Sequence, residues 1–220
     1  MSDNAFLDKG IVLGFCFPVD LHHQKCRTYL NGGKDFYLTE HIDSIYEAKR
    51  KEKIKQHRSA VLKHARYIDQ NYDSEIGPME LRDVRRHLDR KDSGAAEYLK
   101  AYYEGKQFAN ARDVVEELRD FARGMESHVS DRKKEFDRLV VQWNREEDYP
   151  DLHDALKDIR EDKEEDYWVC VDAHDLAKRT SGSTELATTD IDDLANDGRE
   201  SLIVNETEID SVSGVAITGS

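Results

Sequence analysis

The sequence predicts an α/β fold: a parallel sheet flanked by helices, with an extended all-helical central region. Three observations lead there. Short apolar runs bounded by turn residues sit at both ends of the chain, helix-length amphipathic segments follow them, and residues from about 73 to 160 carry few strand signals. At 220 residues the chain can bury a substantial core as one domain, with the core expected from 4–72 and 166–213 and a helical insertion or subdomain from 73–165.

The elements follow in order. AFLD (5–8) reads as a short buried strand, GIVLGFCF (10–17) as a helical turn before Pro18, and VDLHHQKCRTYLNGG (19–33) as a helix stopped by Gly32 and Gly33. DFYLTE (35–40) reads as a second strand. Residues 39–72 turn helical, with Thr39 as N-cap and Ile42, Ile45, Tyr46, Ile54, Val61, Leu62, Ala65 and Ile68 at helical spacing. Over 112–145, Val114, Leu118, Phe121, Met125, Val129, Phe136, Leu139 and Trp143 recur every three or four positions or a multiple of that, which predicts one long helix with an apolar packing stripe. The grammar then switches back: YWVCVD (167–172) reads as a β-rich or buried apolar stretch, AHDLAKRT (173–180) as helix, TELATTD (184–190) as strand, and SLIVNETEIDSVSGVAI (201–217) as strand and loop.

Composition narrows the partners. With 47 Asp and Glu against 33 Lys and Arg, the net charge is -14, which argues against a general nucleic-acid coat or attachment to an anionic membrane. Salt-loving organisms also use acidic surfaces of this kind to stay hydrated, so the charge alone says little about function. Three cysteines without a CxxC pair or zinc spacing indicate neither a disulfide framework nor a structural zinc site. No basic leader and no apolar run of membrane-spanning length is visible, so a cytoplasmic location with no membrane partner is expected.

Four carboxylates hold comparable positions. Asp8 follows the first strand, Glu47 lies early on the helix after the second, Asp172 opens a helix after YWVCV, and Asp190 ends the strand TELATTD. In an open parallel sheet the carboxyl ends of the strands share one edge, so these groups could converge. Their repulsion would then be relieved by a hard divalent cation with oxygen ligands, Mg²⁺ or Mn²⁺, a site suited to phosphodiester hydrolysis. Taken singly, the three aspartates could instead be N-caps and Glu47 could lie on a solvated face.

In order and context these pieces resemble the PIN domain nucleases, a family that includes toxin-type ribonucleases. The matching segments are FLD with Asp8, HIDSIYE with Glu47, VDAHDLA with Asp172 and Ala177, and LATTDIDDL with Asp190. The resemblance implies a PIN-like metal-dependent endoribonuclease with Asp8, Glu47, Asp172 and Asp190 as catalytic metal ligands and Asp175 and Asp193 as additional ligands or supporting groups. It also implies an RNA substrate, an antitoxin protein as partner for toxin-type members, and a homodimer. The chain departs from the family at Lys9 and Gly10, where Thr or Ser and then Asn or Ser are usual.

On the substrate side, KRKEKIKQHR (49–58) holds six basic residues against one Glu, and Lys49, Arg50 and Lys53 continue the helix that carries Glu47. They would hold a nucleic-acid backbone, or else form a solvated helix face. Lone histidines at 22, 23 and 41 are expected to be surface or hydrogen-bonded residues. Two competing readings are a PIN-like binding or scaffold module that acts through its central helices without catalysis, favoured by Lys9 and Gly10, and a helical interaction protein whose carboxylates never meet.

Overall fold

The computed structural model describes residues 2–90 and 94–215; the strand and loop expected at 201–217 therefore run past the described residues at 216 and 217. The chain opens with β1 (Asn4–Leu7), α1 (Lys9–Cys16), α2 (His23–Leu30) and β2 (Asp35–Thr39). Helix α3 (Glu40–Asn71) follows directly, and at 1.5 Å per residue its 32 residues extend about 48 Å. The short strands β3 (Glu75–Ile76) and β4 (Ala109–Asn110) pair antiparallel around helices α4 (Pro78–Asp89) and α5 (Gly94–Tyr102). Helix α6 (Ala111–Phe136) returns along α3, capped by the Asn110 side chain, which accepts from the Arg112 and Asp113 amides.

The remainder is β5 (Val140–Trp143), α7 (Asp151–Ala155), α8 (Lys157–Asp162), α9 (Glu164–Arg179), β6 (Thr184–Thr188), α10 (Asp197–Glu206) and β7 (Ser211–Gly214). Five strands form one all-parallel sheet in the order β5-β2-β1-β6-β7, flanked by helices. Every residue of β1 and β6 is buried, as expected for central parallel strands covered on both faces. From β1 the chain winds outward through β2 to β5, then returns to the other side of β1 for β6 and β7. The direction of winding therefore reverses between β1 and β6, and ligands of open α/β sheets bind at the carboxyl ends of the strands at such a reversal.

Three segments differ from the sequence expectation. The helix expected through 145 ends at Phe136, and Val140–Trp143 is an edge strand paired with β2, so the central region also supplies a sheet strand. Phe136, Leu139 and Trp143 keep a three-and-four spacing that continues a helix on paper, whereas the VVQW run is β-branched and aromatic. The stretch YWVCVD is helical, part of α9, which is buried nearly all round from Asp166 to Leu176. Burial on all sides erases the polar face that marks a surface helix, and tertiary packing overrides the β preference of two valines. Finally, SLIV belongs to α10, capped by Asn196, and only Ser211–Gly214 is strand.

Among the described residues no helix is long and apolar enough to cross a membrane.

Candidate functional site

The sheet topology places β1 and β6 side by side in register, Leu7 beside Ala187. Asp8, just beyond β1, and Thr188–Asp190, at the end of β6 and just beyond it, therefore share the carboxyl edge. Asp8 is the N-cap of α1: its carboxylate accepts from the Lys9 amide at 2.6 Å and from Thr188 Oγ1 at 2.9 Å. Thr188 Oγ1 in turn accepts from the Asp190 amide at 2.9 Å, so one hydroxyl ties both acidic strand ends together. Gly10 makes this close approach feasible. A Cβ built there would lie 2.0 Å from Thr189 Oγ1 and 3.2 Å from Thr189 Cβ.

The third acid comes from α9. Asp166, in its first turn, is 3 % exposed, and the carboxylates of Asp166, Asp190 and Asp193 lie with one oxygen each inside 4.8 Å of one another. Their repulsion is relieved by two lysines. Lys9 Nζ donates to Asp166 Oδ1 at 2.7 Å and pairs with Glu165 at 3.2 Å, while Lys163 Nζ lies against Asp193, 3.4 Å from Asp190 and 4.0 Å from Asp166. Lys9 is largely buried; Lys163 is half exposed. The N-termini of α1, α3 and α9 all face this edge, because each helix either follows a parallel strand directly or runs back to feed the next, and their positive dipole ends favour anions there.

Protonation follows from these contacts. Burial raises the Asp8 carboxyl above the usual carboxylate range, although Lys9 and the Thr188 hydroxyl oppose it. Burial works against the Lys9 ammonium, but Asp8, Asp166 and Glu165 outweigh it and raise its pKa. The hydrogen bond from Lys9 holds Glu165 below its ordinary value.

The residues predicted from sequence divide between this cluster and other places. Asp8, Asp190 and Asp193 come together here, joined by Asp166. Glu47 is exposed on α3. Asp172 is not at a helix start; it sits six residues beyond Asp166 in mid-helix, which turns it about 120° away and carries it about 9 Å along the axis. Its carboxylate accepts from Thr39 Oγ1 at 3.2 Å and pairs with Arg145 at 3.4 Å, and burial raises its pKa against both. Asp175, fully buried, accepts from Trp143 Nε1 at 2.9 Å, Tyr149 OH at 2.7 Å and Arg179 at 2.9 Å, which occupies its oxygens with structural donors.

Of the basic residues, Arg50 donates to Ser130 Oγ at 2.7 Å and Lys53 pairs with Asp20 at 2.7 Å, so both tie α3 to its neighbours. Lys49 is exposed and contributes to the field at Glu165.

No protein-family model, curated protein or solved structure matches this chain.

Asp166 was not legible because it ends the run EDKEED (161–166), which reads as a solvated acidic helix start. The signal that finds it is positional: a carboxylate in the first turn of the helix feeding β6 must lie at the carboxyl edge of the sheet, but using it requires knowing that the helix begins near residue 164 and not at 172.

The donor chemistry fits a hard cation. Asp166, Asp190 and Asp193 offer oxygens only, close enough for a single ion, and the neighbouring Asp8 adds a further carboxylate. The half-exposed Lys163 ammonium already shows that a positive charge is accommodated among the three.

Proposed function

We propose that this protein is a metal-dependent endonuclease that hydrolyses phosphodiester bonds, with RNA as substrate. The observation that carries the reading is the convergence of Asp166, Asp190 and Asp193, beside buried Asp8, at the reversal point of a five-stranded parallel sheet. The resemblance of the FLD and LATTDIDDL segments to PIN domain nucleases supports it. Here Asp166 takes the part the sequence pattern gave to Asp172.

Mg²⁺ or Mn²⁺, when bound, supplies Lewis-acid stabilisation of a phosphoryl oxygen and a more acidic water. Asp166, Asp190 and Asp193 would hold the cation, and Asp8 fixes the β1 end against β6 through Thr188. Lys9, anchored on Asp166 and Glu165, offsets the negative charge of the cluster. Lys163, being half exposed, has room to swing outward when a cation enters.

A second reading, a binding or scaffold module without catalysis, is favoured by the same two lysines, which neutralise the carboxylates without a metal. Cleavage of single-stranded RNA in Mn²⁺, compared among wild type, D166N and D190N, separates the two. Metal-dependent cleavage lost in both variants supports the nuclease; an inactive wild type that still binds RNA or a protein partner supports the scaffold, and activity retained in both variants sinks the metal site.

A further inference from the structure

A second concavity opens on the same sheet edge, one and two strands away from Asp8. It has a volume of about 390 Å³ and is walled by Thr39, Glu40 and His41 at the end of β2, Arg145 after β5, and Trp168 and Asp172 on α9. Its size lies within the range of ligand pockets. The guanidinium of Arg145 is stacked over the Trp168 ring at 4.7 Å from its centroid, which makes a flat cationic platform. Arg145 Nη1 is shut off from solvent and has no hydrogen-bond partner, while Nε reaches Asp172 only at 3.4 Å. The guanidinium is therefore incompletely satisfied where it stands beside the pocket.

The charge balance discriminates among ligands. Asp172 pairs with Arg145 and Glu40 also lines the pocket, so it offers no surplus positive charge for a phosphate. It does offer a planar stacking surface with a donor and a carboxylate acceptor side by side, which matches the edge of a nucleobase. Continuing the registers that pair Phe6 with Tyr37 and Thr39 with Trp143 places Asp8 beside Thr39. At about 4.8 Å per strand spacing, the pocket is then roughly 5–10 Å from Asp8 and roughly 10–14 Å from the end of β6 that carries Asp190. Glu165, Trp168 and Asp172 lie along one face of α9, and Glu165 also contacts Lys9, so a single helix links the two places.

We infer that this pocket is a nucleobase subsite. It takes one unpaired base of a single-stranded RNA against the Arg145–Trp168 platform, with the base edge toward Asp172, while the backbone passes the Asp166, Asp190 and Asp193 carboxylates. The inference rests on the nuclease reading for its substrate, but base binding itself needs no metal. Duplex RNA is excluded from the pocket because its bases are already stacked and paired.

The chain's two tryptophans, Trp143 and Trp168, both line this pocket, so intrinsic fluorescence reports on it directly. The test titrates a single-stranded RNA hexamer, and the same hexamer with abasic sites, into full-length protein in EDTA, with anisotropy of a labelled hexamer as second readout. The base-bearing strand is expected to quench tryptophan emission and to bind at least about fivefold more tightly than the abasic one. R145A and W168A should abolish that preference, W168F should retain most of it, and D190N should leave it intact. Equal affinity for base-bearing and abasic strands, or an unchanged preference in R145A and W168A, overturns the subsite. Base-dependent quenching in a protein that never cleaves RNA upholds the pocket and sinks the nuclease, and cleavage without base preference does the reverse.

Discussion

Lys9 Nζ donates to Asp166 Oδ1 across 2.7 Å, joining the first turn of α1 to the first turn of α9 over 157 residues of sequence. The residue that departs from the PIN pattern at the first motif is thus the partner of the acid that the pattern did not reveal. Lys9 sets a positive charge beside Asp8, and Glu165 and Asp166 pair with it.

Asp8→Asn should leave the fold as stable as wild type or more stable by on the order of 1 kcal/mol at neutral pH. Asn remains an acceptable N-cap, and the ionised carboxylate it replaces is buried. The sign follows from burial, which raises the pKa of both Asp8 and Asp172 in the fold. Between the ordinary carboxylate pKa near about 4 and the raised folded value, the native state binds more protons, so their contribution is complete below that window and falls as pH rises through it. Urea unfolding of wild type and D8N from pH 4 to 8 should show a flatter profile for the variant; a steeper one contradicts the assignment.

Lys163→Ala should tighten Mn²⁺ binding roughly three- to tenfold. It removes an ammonium that competes with the cation among Asp166, Asp190 and Asp193, and because Lys163 is half exposed the competition is partly screened. Calorimetric titration of the variant at fixed ionic strength checks this, and weaker binding would show that Lys163 helps to form the site.

Asp175→Asn should cost about 1–3 kcal/mol of stability while leaving Mn²⁺ affinity unchanged, because an amide cannot accept from Trp143, Tyr149 and Arg179 together and leaves a buried donor unpaired. Thermal unfolding and metal titration of the same preparation separate the two effects.

Gly10→Ala should destabilise by about 1–3 kcal/mol, since its Cβ would meet Thr189 Oγ1. Thr189→Ala in the same chain should recover much of the loss, because Thr189 Cβ would lie 3.2 Å from the new methyl. An additive double mutant would place the strain elsewhere.

The first strand, the helices after it, β2, α3 and β6 were legible because short apolar runs stood beside strong stop signals, Gly32 and Gly33 among them. Three of the four acids now gathered at the edge, Asp8, Asp190 and Asp193, were legible for the same reason: each follows a recognisable strand. Asp172 was misplaced because a helix buried on every side has no polar stripe, so YWVCV reads as strand and its following aspartate as a helix start. That single boundary error hid Asp166, which lies at the true start. The edge strand Val140–Trp143 was hidden by helical spacing that continued past the real helix end at Phe136. The pocket of Arg145 and Trp168 could not be read at all, since it depends on β5 lying beside β2.

The proposed cation site is built on Asp166 and not on Asp172. Mn²⁺ titration by calorimetry on wild type, D166N and D172N tests this directly. One saturable site is expected in wild type, lost in D166N and retained in D172N. Binding that survives D166N and disappears in D172N would contradict the assignment.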